Sequence, residues 1–224
     1  MRTKTLLIAA AALAATVISS QAQVYSGIVG YASVSAQPGQ YIFVANPMTT
    51  GNDVISNVLQ NLPGATTAEI WNGAGFDVLT YSALAHAWKL GTLATNTYPL
   101  PPGTGFFLQN TTVAITNTFV GTVLAANGGS VTNSLGTAVN AIGSLLPISD
   151  TVTNTATFDL QVGGASTLQQ WSVANQHFAV FTYSALAHTW KQGTATTNPV
   201  IGVAEGFFLQ PSAATNWVQT LPSN

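Results

Sequence analysis

The chain has no cysteine among its 224 residues. That excludes a disulfide framework and a lipid anchor carried on a cysteine, so stability must come from core burial. Charge is nearly as scarce. Only 4% of residues are Asp, Glu, Lys or Arg, against about a quarter in an average soluble protein. Beyond the first few residues the basic side chains other than histidine are Lys89 and Lys191, opposed by Asp53, Glu69, Asp77, Asp150, Asp159 and Glu205. Nucleic-acid binding is excluded, because phosphate neutralisation needs several cations on one face. Attachment to an anionic membrane through a basic patch fails for the same reason. A surface solvated mainly by Thr, Asn, Ser and Gln is poorly defended against edge-to-edge association, so self-assembly is an expected behaviour.

The one long apolar run, Leu6 to Ile18, is shorter than the roughly 20 residues that a membrane-crossing helix needs. With Arg2 and Lys4 before it and Ser20-Gln21-Ala22 after it, it reads as an export signal, residues 1–22, with cleavage leaving Gln23 first. The expected location is extracellular, cell-surface or periplasmic.

What the chain does have is written twice. Trp71-Asn72-Gly73, Phe76, Thr80-Tyr81-Ser82-Ala83-Leu84-Ala85-His86, Trp88-Lys89 and Gly105-Phe106-Phe107-Leu108-Gln109 return as Trp171, Phe178, Thr182-Tyr183-Ser184-Ala185-Leu186-Ala187-His188, Trp190-Lys191 and Gly206-Phe207-Phe208-Leu209-Gln210. The spacing, about a hundred residues, is that of a small domain. The expectation is two modules, residues 23–124 and 125–224, with the boundary near Asn127-Gly128-Gly129.

Local signals are those of strands and turns. Tyr41-Ile42-Phe43-Val44-Ala45 is apolar without alternation, as in a strand covered on both faces. Asn72-Gly73-Ala74-Gly75 is a hairpin turn between Ala68–Trp71 and Phe76–Tyr81, and the second copy has two more residues at that tip. Pro99, Pro101 and Pro102 approach the aromatic strand at Phe106. One helix is expected: Val54, Ile55, Val58, Leu59 and Leu62 form a stripe capped by Asn52 or Asp53, stopped by Pro63-Gly64 and about three turns long. Its counterpart, Asp150 to Leu160, has no stripe and is expected to be extended or loop.

An apolar strand ending Ala45-Asn46-Pro47, a Trp-Asn-Gly hairpin and a Pro/Gly approach to Gly-Phe-Phe-Leu together resemble an all-β module of proteins secreted by Gram-negative bacteria, with a pattern of the type NLIANP…WNG…GFFV. The resemblance implies a small exported protein of two such modules, a group without an assigned function. The second copy departs from the pattern at Gly143–Pro147 and Ser172-Val173.

Candidate chemistry is thin. Ser82/His86 and Ser184/His188 place a hydroxyl and an imidazole four residues apart, but neither pair has a nearby carboxylate or a nucleophile elbow. The plainer reading is a recurring connection that carries Leu84 and Leu186 into the core. Glu69 and Asp77 as a glycosidase pair would face opposite sides of the hairpin. Three histidines and dispersed carboxylates give no metal-ligand spacing, and no cofactor is expected. The repeated aromatics Trp71, Tyr81, Trp88, Trp171, Tyr183 and Trp190 are the ligand-binding candidates, as flat faces for a polysaccharide. The competing reading makes them core.

The fold expected is therefore all-β: two homologous sandwich-like modules packed as one pseudo-symmetric body, with one short helix in the first. The function expected is that of a non-catalytic exported structural or cell-surface protein that assembles with itself. Carbohydrate binding is the first alternative, and a serine hydrolase is a remote second.

Overall fold

The computed structural model describes residues 27–223, and the expected signal peptide lies outside them. Among the described residues the fold is all-β with one short helix. In the N-terminal half, β1 (Val29–Ala36) pairs antiparallel with β8 (Ile115–Thr122) as a two-stranded ribbon. The remaining strands are β2 (Ile42–Ala45), β3 (Thr67–Trp71), β4 (Phe76–Ser82), β5 (Ala87–Leu90), β6 (Leu93–Ala94) and β7 (Gly105–Gln109). They form a six-stranded sheet in the order β2-β7-β3-β4-β5-β6.

The C-terminal half repeats the plan. Strands β10 (Asn140–Gly143), β13 (Thr167–Ser172), β14 (His177–Ser184), β15 (Thr189–Gln192), β16 (Ala195–Thr196) and β18 (Gly206–Gln210) form a sheet ordered β10-β18-β13-β14-β15-β16. Its smaller sheet is β12 (Phe158–Leu160), β19 (Thr215–Thr220) and β9 (Ser130–Leu135), and β11 (Asp150–Thr151) pairs with β17 (Val200–Ile201). Position by position, β2, β3, β4, β5, β6 and β7 correspond to β10, β13, β14, β15, β16 and β18. All of these ladders join strands on the same side of residue 125.

Each six-stranded sheet has two covered faces. On the outer one, Ile42, Val44, Ile70, Leu79, Trp88, Phe106 and Leu108 meet Ala32, Ala36, Ile115 and Phe119 of the ribbon. The second half does the same with Leu168, Phe181, Trp190, Phe207 and Leu209 against Phe158 and Trp217. On the inner faces the two sheets meet each other through Phe43, Phe107 and Phe208, with Trp71, Trp171 and Phe178 packed around them. Double coverage is why β2, β7 and β18 are apolar runs without alternation: every residue of β2 and the first four of β7 and of β18 are buried.

Reciprocal backbone contacts close the two halves together. Val44 bridges Glu205, and Ala45 N–H donates to the Ala204 carbonyl at 3.0 Å. In the mirror position Ile142 bridges Thr104, and Gly143 N–H donates to the Gly103 carbonyl at 2.9 Å. Val44 and Ile142 occupy equivalent places, opposite Phe106 and Phe207 in their sheets. The β2 edge of one sheet and the β10 edge of the other are thus each bonded to the opposite half.

Two expectations need correction. The helix α1 is Ile55–Val58, a single turn in place of three, and Val54 precedes it with no side-chain cap. Asp53 is engaged upstream, accepting from Thr50 N–H and the Thr49 hydroxyl, both at 2.7 Å. The first helical N–H groups donate to Tyr98 and Asn96 carbonyls of a neighbouring loop. Tertiary contacts therefore satisfy a backbone that the stripe alone would have coiled further, although Ile55, Val58, Leu59 and Leu62 are buried as the stripe requires. Leu84 and Leu186 do not enter the core: each is 97% exposed at the tip of its loop. The counterpart of α1 in the second half, residues 150–160, is two short strands, β11 and β12, joined by turns, in keeping with the expectation of extended or loop structure.

Candidate binding site at the inter-sheet seam

The six aromatic candidates fall into separate environments. Trp88 and Trp190 are 1% and 0% exposed, deep in the two outer cores, with Tyr81 and Tyr183 packed beside them at ring separations of 5.5 Å. Neither tryptophan presents a face to a ligand. The cause is register: Tyr81 pairs with Trp88 and Tyr183 with Trp190 across neighbouring strands on the face that looks into the sandwich. Trp71 and Trp171 project from the opposite face and are half-buried at the seam. The six therefore do not make one platform.

The other candidates are also engaged. Ser82 Oγ accepts from Ala85 N–H at 3.3 Å, and Ser184 Oγ from Ala187 N–H at 3.4 Å. Each hydroxyl closes its own turn, which His86 and His188 end at φ of 47° and 48°. Glu69 and Asp77 lie on opposite faces, since Ile70 is the partner of Asp77 and Val78 that of Glu69. Asp77 accepts from the Tyr98 hydroxyl at 2.7 Å and from Asn72 Nδ2 at 2.8 Å. These two bonds hold its carboxyl below the ordinary range, while burial, then the aspartate, pushes the Tyr98 phenol up to about 12. No group of three or more potential metal ligands occurs among the described residues.

The seam is where side chains converge. Trp171 Nε1 donates to the Tyr41 carbonyl at 2.9 Å, and Trp71 Nε1 to the Val139 carbonyl at 3.1 Å, one bond in each direction across the junction. Gln176, at the tip of the longer second hairpin, clamps Tyr41 from both sides: its Oε1 accepts from Tyr41 N–H at 2.9 Å and its Nε2 donates to the Tyr41 carbonyl at 3.2 Å. The two extra residues of that hairpin thus serve to reach the first half.

These contacts frame an open cavity of about 240 Å³ lined by Tyr41, Glu69, Phe107, Trp171 and Phe178. Its rings stand nearly at right angles: Tyr41 to Phe107 at 87°, Phe107 to Trp171 at 84°, Trp171 to Phe178 at 71°. The single charge is Glu69, whose Oε1 accepts from the Tyr41 hydroxyl at 3.2 Å. Burial, then the neighbouring carboxylate, raises the Tyr41 phenol above its ordinary value.

No family model, curated protein or solved structure matches the chain. The site is therefore read from its own chemistry. Four of its five lining residues are aromatic, the fifth is a carboxylate, and the positioning bonds come from both halves. Tyr41, Phe107 and Phe178 were not among the candidates drawn from sequence. A signal was present in the duplication, because Glu69 aligns with Gln169 and Tyr41 with Val139, two of the places where the halves differ in chemistry.

A second half-buried carboxyl, Glu205, lies along the same junction. Glu205 accepts from Gly202 N–H at 2.7 Å and Gln170 Nε2 at 2.8 Å. Burial raises its pKa, with those two donors opposing the rise.

Proposed function

We propose that the chain is a non-catalytic exported structural or cell-surface protein that assembles with copies of itself. The observation that carries the reading is the outer face of the β1–β8 ribbon. Val29, Tyr31 and Val120 are 73%, 79% and 57% exposed there, and Tyr31 lies directly opposite Val120 in the ladder. Next to them the hydroxyls of Ser33 and Thr118 are bonded at 2.8 Å. The ribbon, VGYASVSA against ITNTFVGT, contains no charged residue, so nothing on it repels a second copy. The duplicated halves fit the same role, since the repeated Gly105/Gly206, Phe107/Phe208 and Trp71/Trp171 are spent on joining the two sheets.

Light scattering of the chain starting at Gln23, at rising concentration across about pH 5 to 8, tests the reading. Assembly is expected, and Tyr31→Lys with Val120→Lys should abolish it by placing like charges on the ribbon. A monomer at every concentration overturns it. N-terminal sequencing of protein recovered from outside the producing cell checks export, with Gln23 expected first.

A further inference from the structure

We infer that the seam cavity framed by Tyr41, Glu69, Phe107, Trp171 and Phe178 binds a quaternary, methylated ammonium group. The inference is independent of self-assembly, which uses a different face.

Consider what the walls offer. An aromatic face carries negative quadrupole charge and attracts a cation lying within about 6 Å of the ring centre. Four aromatic side chains line this one cavity, and Phe107 stands at 87° to Tyr41 and 84° to Trp171, so a cation seated among them lies close to several rings at once. Glu69 adds a formal negative charge at the rim, held by a tyrosine hydroxyl and not by a lysine. A primary ammonium fits poorly, because its three N–H donors would leave water for walls that are mostly carbon. A trimethylammonium has no N–H to satisfy and a surface of methyl groups, so it gains both the electrostatic and the apolar contact. The volume, about 240 Å³, lies below the roughly 300–1,000 Å³ of pockets for drug-sized ligands and suits a head group.

The molecule contains its own control. Pseudo-symmetry places Val139, Gln169, Phe208, Trp71 and Phe76 in the mirror position. The aromatic frame is reproduced there, with Trp71 to Phe208 at 79° and Trp71 to Phe76 at 68°. The phenol and the carboxylate are not. The mirror frame joins the same two sheets without a phenol or a carboxylate, so the Tyr41–Glu69 pair is what sets this cavity apart.

Calorimetric titration of the chain from Gln23 decides the matter. Tetramethylammonium and choline chlorides should bind saturably with Kd of about 1 mM or below. Ethanolamine, and 3,3-dimethylbutan-1-ol, the neutral carbon analogue of choline, should bind at least about tenfold more weakly. Glu69→Gln should weaken choline at least about tenfold, and Glu69→Gln with Tyr41→Val, which copies the mirror frame, should abolish binding while the chain keeps a single cooperative melt. Co-sedimentation with phosphatidylcholine vesicles, competed by free choline, identifies a lipid head group as the source; binding in solution without vesicle capture identifies a free small cation. Absence of saturable binding, or a neutral analogue that binds as well as choline, overturns the inference, and neither result depends on a variant that must fold.

Discussion

Gly105 and Gly206, the first residues of the repeated Gly-Phe-Phe-Leu-Gln strands, are the most incisive places to perturb the seam. A methyl group on Gly105 would lie 2.8 Å from the Ile142 backbone nitrogen and 2.9 Å from the Ala141 carbonyl carbon. On Gly206 it would lie 2.9 Å from the Val44 carbonyl oxygen and 3.0 Å from Phe43 Cδ2. Each obstacle belongs to the other half, and most of it is backbone fixed in a ladder, so the sheets must separate to admit the methyl. Overpacking of this kind costs about 1–3 kcal/mol. For a chain of this size each kcal/mol lowers Tm by about 2–4 °C, so either alanine variant should melt about 2–12 °C below the wild type. The two sites share one interface, so the double variant should deviate from additivity. Gly75→Ala is the control: a methyl there meets open space and should change stability by less than about 0.5 kcal/mol. Circular dichroism melts of the four variants provide the measurement. Seam variants that melt with the control would show that the halves are not in close backbone contact, and the account of the junction would fall.

Three further outcomes follow from the same contacts. Trp88→Ala should cost about 3–5 kcal/mol, read as a lowered denaturant midpoint, whereas Leu84→Ser and Leu186→Ser should stay within about 0.5 kcal/mol. Asp77 and Asp150 have folded pKa values below their ordinary 3.8, through bonds from Tyr98 and from Thr157 respectively; a lowered carboxyl stabilises the fold above its unfolded value, so stability should fall as pH drops below about 4, and Asp150→Asn should shrink that loss. Glu205 has the opposite sign: its pKa is raised above 4.5 by burial, so its share of stability is fullest below pH 4.5 and is lost as pH rises through the folded value. Unfolding midpoints measured across about pH 2 to 8 should show that upper decline flatten in Glu205→Gln.

Much of the fold was legible because turns announce themselves. Asn72 and Gly73 specify the first hairpin, and the structure shows why: Asn72 Oδ1 accepts from Ala74 and Gly75 N–H groups, with Gly73 at φ 95°. The one-turn α1 was overread because a stripe records only which residues are buried. Ile55, Val58, Leu59 and Leu62 are buried whether or not the backbone stays coiled. The seam was hidden for a related reason. Phe106 and Phe107 are adjacent and both buried, so no alternation tells which faces the ribbon and which the other half. Leu84 and Leu186 mislead because an apolar residue in a repeated phrase looks like core, whereas each stands exposed at a loop tip. The binding cavity needed both halves in place, since Tyr41 and Trp171 are 130 residues apart in the chain.

The reciprocal bridges carry one more consequence. When a two-fold interface joins identical chains, every substitution is made on both sides at once, so a change that helps one site must be tolerated at its mirror image. Encoding both sides in one polypeptide removes that coupling. Each half inherits separately, and the interface can keep one copy conservative to preserve assembly while the other drifts towards a new use.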